Sequence, residues 1–91
     1  MHEKHKQELQ ESIRKLRDER DSLDSTQKEK RKRIDQFIDD LEHHIVHPED
    51  GEHATRIRAN LPELIKLFEV RHPGITDILN KVTMILSNMG I

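Results

Sequence analysis

Cysteine is absent from this 91-residue chain. Disulfide scaffolds, thiolate zinc sites and cysteine nucleophiles are thereby excluded. Tryptophan and tyrosine are missing as well, and the aromatics are Phe37 and Phe68 alone. Neither falls in the basic run Lys28–Arg33, which therefore has no aromatic for stacking bases. The three glycines, at 51, 74 and 90, lack the spacing of a G-x-x-x-x-G-K-[ST] phosphate loop, and no G-x-S-x-G elbow or H-E-x-x-H pair occurs. No stretch approaches 18 uninterrupted apolar residues, so no membrane span is expected. The opening "MHEKHKQEL" has no apolar core of a secretory signal, which makes the cytoplasm the expected compartment. Neither charge sign dominates: 16 basic and 18 acidic side chains leave a net charge of −2. A general nucleic-acid binder is normally basic, so nucleic acid is an unlikely class of partner.

What is present is helix-forming and unevenly apolar. The length suits one domain with a small core. Five apolar residues fall in 1–33, nine in 34–60 and fifteen in 61–91. The second half can build a core of its own. The first third has so few apolar groups that it reads as a solvated helical arm or a disordered one.

An all-α chain of about four helices follows from the periodicity. The first spans about 3–21, free of Gly and Pro and rich in Glu, Lys, Gln and Arg. Its stripe of Leu9, Ile13 and Leu16, with Leu23 beyond, has heptad spacing but is too short to establish a coiled coil. "SLDSTQKE" is a turn in which Asp24 with Gln27, or Thr26 with Glu29, can form a capping box. The second helix, about 26–46, carries Ile34, Phe37, Ile38, Leu41 and Ile45 on one face. "HPEDGEH" stops it, through Pro48 and Gly51. The third, about 52–70, buries Ile57, Leu61, Leu64, Ile65 and Phe68. Pro62 interrupts it, either as a kink in one helix or with Asn60 capping a fresh start; the unbroken apolar register favours the kink. The fourth, about 73–88, opens at Pro73, a residue suited to a first helical position. Ile75, Ile78, Leu79, Val82, Ile85, Leu86 and Met89 make a wide apolar face. Gly90 sits at the left-handed position of a Schellman stop, with Ile91 folding back on Leu86.

The C-terminal "FEV-x-HP", "ILNKV" and "SNMGI" resemble the domain of unknown function 4404 family. "ELQESIRKL", "HPED" and "FEVRHP" fall in the family's order, so the resemblance covers nearly the whole chain. It implies a small, soluble, helical bacterial protein and supplies no activity and no catalytic residue.

Three sets of residues are candidates for function. His43 and His47 are four apart, a spacing that can present two imidazoles of one helix face to a metal. His44 and His53 are close in sequence, and Glu49, Asp50 and Glu52 could add oxygen ligands; the same histidines also suit a helix C-terminus as favourable partial charges. "KEKRKR" puts Lys28, Lys30, Arg31, Lys32 and Arg33 in a run that could meet phosphates. Helical geometry spreads these five around the axis, and Asp24, Glu29 and Asp35 lie close by. The third set is apolar: Leu64, Leu67, Phe68, Ile78, Val82, Ile85 and Leu86 are the candidate interaction surface, because Leu67, Val70, Met84 and Leu86 widen the faces of helices three and four beyond one stripe. Part of that surplus is expected to bury in a second copy, a dimer on base rates. His72 is expected to cap the last helix or satisfy a carbonyl, and His2 and His5 to lie in a frayed terminus.

The expected architecture is a long antiparallel hairpin of helices one and two, with the kinked third and the fourth packing on helix two. The expected function is a homo-oligomerising protein-interaction or regulatory module, without catalysis and without a cofactor. The alternatives are a nucleic-acid-associated protein using Lys28–Arg33 and a metal-binding protein using His43 and His47.

Overall fold

The computed structural model describes residues 2–90. Four α-helices follow one another: α1 (Glu3–Asp21), α2 (Lys28–Val46), α3 (Gly51–Phe68) and α4 (Pro73–Asn88), with one 3₁₀ turn at Ser25–Gln27. There is no strand among the described residues. The second helix therefore begins two residues later than its sequence pattern suggested. Its first turn is a 3₁₀ turn because Asp24 is the residue that caps. The Asp24 carboxylate accepts from the Thr26 amide at 2.9 Å, and the Gln27 side-chain oxygen accepts from the Asp24 amide at 3.2 Å. Two orphan donors are satisfied reciprocally, and the chain re-enters helix only after Gln27.

α3 runs through Pro62 as one helix and stops at Phe68, two residues short of Val70. Its start is set by Asp50, whose Oδ1 accepts from the His53 amide at 3.1 Å. α4 opens with Pro73 at its first turn. It closes at Gly90, whose φ of +80° is the left-handed value that a side chain disfavours. The Gly90 amide donates to the Ser87 carbonyl at 3.0 Å, one of the two bonds of a Schellman stop. The expected fold-back of Ile91 lies outside the described residues.

Each helix packs on two others in a closed ring: α1 on α2 and α4, α3 on α2 and α4. Short connections and the cross-helix pairs make the neighbours antiparallel. Arg17 meets Glu42 and Arg20 meets Asp35, both at 2.7 Å, while Arg33 approaches Glu63 at 4.0 Å. This is up-down-up-down bundle topology, 37 × 22 × 19 Å overall. α1 starts, α2 ends, α3 starts and α4 ends at one end of the bundle.

Two expectations about packing are corrected here. α4 lies against α1 and α3, with α2 diagonally across the ring. Nor is α1 a solvated arm. Leu9 and Leu16 are fully buried, and Ile13 and Leu23 nearly so, within one core shared by all four helices. A three-residue stripe suffices because α1 closes the ring, covering the apolar face of α4 that the sequence left over. Burying each leucine contributes about 1.5–3 kcal/mol. The surface ion pairs that flank it contribute at most about 1 kcal/mol each and chiefly set register. No helix of the described residues is long and apolar enough to cross a membrane.

Candidate functional site

The group of histidine and carboxylate side chains that could share one ligand lies at the corner where α2 turns into α3. α2 ends at Val46, and His47 leaves the helical region with φ −126° and ψ 68°. Pro48 follows, which biases its predecessor away from helix. The chain reverses over four residues, and Asp50 caps α3. The cap fixes one carboxylate oxygen on the His53 amide and leaves the other free. That free Oδ2 lies 3.0 Å from His43 Nε2, on the last turn of α2. The backbone bond from His53 and then the contact with His43 hold the Asp50 carboxyl below the usual carboxylate range.

His53, on the first turn of α3, is buried and stacks near His43, ring centroids 4.0 Å apart. Its Nε2 lies 3.1 Å from the Asp40 carbonyl oxygen and 3.2 Å from Asp40 Oδ1. The guanidinium of Arg56 approaches its Nδ1 at 2.8 Å. A guanidinium can only donate, so Nδ1 accepts and the ring proton sits on Nε2, facing Asp40. His43, Asp50 and His53 offer ligand atoms that all fall within 4.8 Å of one another, the arrangement a single cation could gather.

His44 completes the corner from inside. It is 1% exposed, and neither ring nitrogen has a protein partner. Burial, followed by the neighbouring His53 and His43, pushes its pKa below the usual imidazole value. It is neutral in the fold and carries two uncompensated polar atoms.

The pair chosen from spacing is thus re-partnered. His43 belongs to the cluster and His47 does not. His47 lies ring to ring 5.0 Å from His43, but its Nδ1 turns to Glu49 Oε1 at 3.4 Å. The i,i+4 spacing does bring the two rings together, the His47 amide donating to the His43 carbonyl at 2.8 Å, but His47 is the C-cap of α2 and its ring nitrogen faces Glu49. Asp50 and His53, seven and ten residues from His43, are brought in by the turn. Both were already named from sequence as possible additions to the pair; the signal that places them together is an Asp three residues before His53 at the start of an apolar period, an N-cap pattern.

The basic run lies on the first turns of α2, and its members have different neighbours. Arg31 reaches toward Asp21 at 3.9 Å, Arg33 toward Glu63 at 4.0 Å, and Lys30 sits 5.9 Å from the Phe68 ring centre. Lys28 and Lys32 are exposed.

The seven apolar candidates are dispersed in the same way. Leu64, Phe68, Val82, Ile85 and Leu86 are buried in the chain's own core, and Leu67 and Ile78 are partly buried against it. Where they reach the surface they line different grooves: Leu64 between α2 and α3, Leu86 between α3 and α4, Ile78 between α1 and α4. They make no common face, because α1 takes up the surplus that a second copy was expected to cover. The exposed large apolar residues are Val46, Val70 and Met84. His72 serves the opposite end. It gives no side-chain cap to α4; its Nε2 meets Gln27 Nε2 at 3.0 Å and its ring sits edge-on to Phe68. His2 caps α1, its Nδ1 accepting from the Lys4 amide at 3.1 Å.

These features define a class: small all-α proteins built as a single antiparallel four-helix ring. Within that class the chain belongs to the family described as Domain of unknown function (DUF4404), whose model matches residues 9–91. No curated protein and no solved structure matches the chain.

Proposed function

We propose that the chain is a cytoplasmic protein-interaction module without catalysis, acting as a two-fold dimer of the folded bundle. The observation that supports this is the groove between α3 and α4, where Leu61, Pro62, Ile65 and Leu86 make an apolar floor. Arg58 and Lys66 line the same groove, with Thr83 and Ser87 from α4. An apolar centre with a polar edge is the anatomy of a modest interface. In a two-fold dimer the groove meets its own copy, and the long basic side chains stay in water at the rim, where salt screens them. The interface of this reading is narrower than the seven-residue set considered from sequence, since five of those residues are committed to the fold. A regulatory role would follow from occupancy of that groove.

Light scattering over a concentration series tests it. The reading predicts a mass that rises from one chain to two, and an Ile65→Lys variant that stays at one chain with its helical circular dichroism retained. A single-chain mass at every concentration contradicts self-association. The basic rim would then direct the search to an acidic amphipathic partner.

A further inference from the structure

We infer that His43, Asp50 and His53 form a binding site for one divalent transition-metal cation of the zinc, nickel or cobalt kind. This site is independent of the groove and of the oligomeric state. The donor set, two imidazoles and one carboxylate, suits borderline cations and not magnesium or calcium, which take oxygen. His43 Nε2 and Asp50 Oδ2 are 3.0 Å apart, a hydrogen bond in which the imidazole donates to the carboxylate. Two ligands at about 2.0–2.2 Å from a tetrahedral centre lie about 3.3–3.6 Å apart, so an ion takes the place of the shared proton and the pair opens by a few tenths of an ångström. His53 also offers a ligand atom within 4.8 Å of both, a spread that side-chain rotation has to narrow around an ion.

The surroundings match what a ligating histidine requires. His53 Nε2–H faces the Asp40 carbonyl and carboxylate, which fixes the tautomer and leaves the Nδ1 lone pair for the ion. Asp50 is anchored through Oδ1 on the His53 amide, so its other oxygen is held in place by the helix cap. Three protein ligands leave one position for water. Arg56 is the competitor. Its Nη2 occupies the His53 Nδ1 lone pair at 2.8 Å and must swing out for the ion to enter. The residue is exposed, so nothing but that contact detains it. The site is therefore guarded by a removable cation, and its affinity is set by the exchange of guanidinium for metal.

Calorimetric titration of the full-length chain with zinc chloride, and with magnesium chloride as the comparison, decides the matter. The inference predicts one zinc per chain and no heat from magnesium. His43→Gln and Asp50→Asn should each weaken zinc at least tenfold; both side chains are half-exposed, and asparagine keeps the capping oxygen, so the fold survives. His47→Gln should leave the affinity unchanged, and Arg56→Gln should tighten it several-fold. Absence of zinc binding would overturn the site. So would binding that survives His43→Gln, or that His47→Gln abolishes, since either would assign the ion to another set of histidines.

Discussion

At the end of the bundle where α3 turns into α4, a histidine is used as a structural joint. His72 bonds Gln27 of the 3₁₀ turn and lies edge-on to the fully buried Phe68. At the end where α2 turns into α3, four histidines crowd a single turn, and their needs are met unequally. His43 and His53 have acidic neighbours, His47 faces solvent and Glu49, and His44 is buried with nothing. The first end is organised around an apolar ring with its polar groups satisfied. The second keeps unsatisfied and competing donors in a well-packed region. Folding alone does not favour that arrangement, because a buried polar atom without a partner costs about 1–3 kcal/mol. The contrast makes the α2–α3 corner the end of the bundle where substitution of a histidine should relieve a cost and not add one.

Substitutions can break or sharpen that contrast. The largest effect belongs to the structural end: Phe68→Ala should cost about 3–5 kcal/mol in urea unfolding, as a large aromatic leaves a cavity among four helices. A cost below about 1 kcal/mol would mean the core does not converge there. At the other end the sign reverses. His44→Leu removes two unpartnered atoms from the core and should raise stability by about 1–3 kcal/mol at neutral pH. The same variant tests the acid response. In the fold His44 is held neutral, whereas the unfolded chain takes up a proton below about pH 6.5, the ordinary imidazole value. The unfolded state then binds more protons, so stability falls as the pH drops through 6.5 and on toward the lower folded-state value. The slope is at most about 1.4 kcal/mol per pH unit for one proton. Thermal melts between pH 7.5 and 5 should show this limb in the natural chain and a shallower one in His44→Leu; parallel limbs would place the acid sensitivity elsewhere. Gln27→Ala should cost about 1–2 kcal/mol in urea unfolding, since it removes both the contact with His72 and the capping bond to the Asp24 amide. Smallest of all, His47→Gln should change stability by less than about 0.5 kcal/mol, as expected of an exposed side chain outside the cluster. A larger loss would return His47 to the cluster.

Much of the fold was written locally. Pro48, Gly51, Pro73 and Gly90 punctuate the chain, and the four apolar stripes set the core side of each helix. The class of fold follows from these signals. What they do not carry is which helix closes the ring. Leu9, Ile13 and Leu16 look too few to bury, and only the partner α4, with apolar surface on two sides, makes them enough. That is a property of the pair and not of either segment. The candidate site was legible by the same measure. His43 was recoverable from its place near a helix end, but the His47 paired with it is the C-cap of α2, with its ring nitrogen facing Glu49. Asp50 and His53 are joined to it by a reversal of the chain, and sequence spacing within a helix says nothing about side chains across a turn. Asp50 was nonetheless visible as a capping residue. The burial of His44 was legible, since its position on the α2 face continues the period of Leu41 and Phe37, but the lack of partners for its ring nitrogens was not.

The most direct test of the account is the imidazole NMR spectrum of the full chain as zinc is added in steps to one equivalent. The account predicts that the ring signals of His43 and His53 shift together and saturate at one ion per chain, while those of His47 and His72 stay in place. Shifts confined to His2, His5 or His47, or spread evenly over all seven histidines, would contradict it.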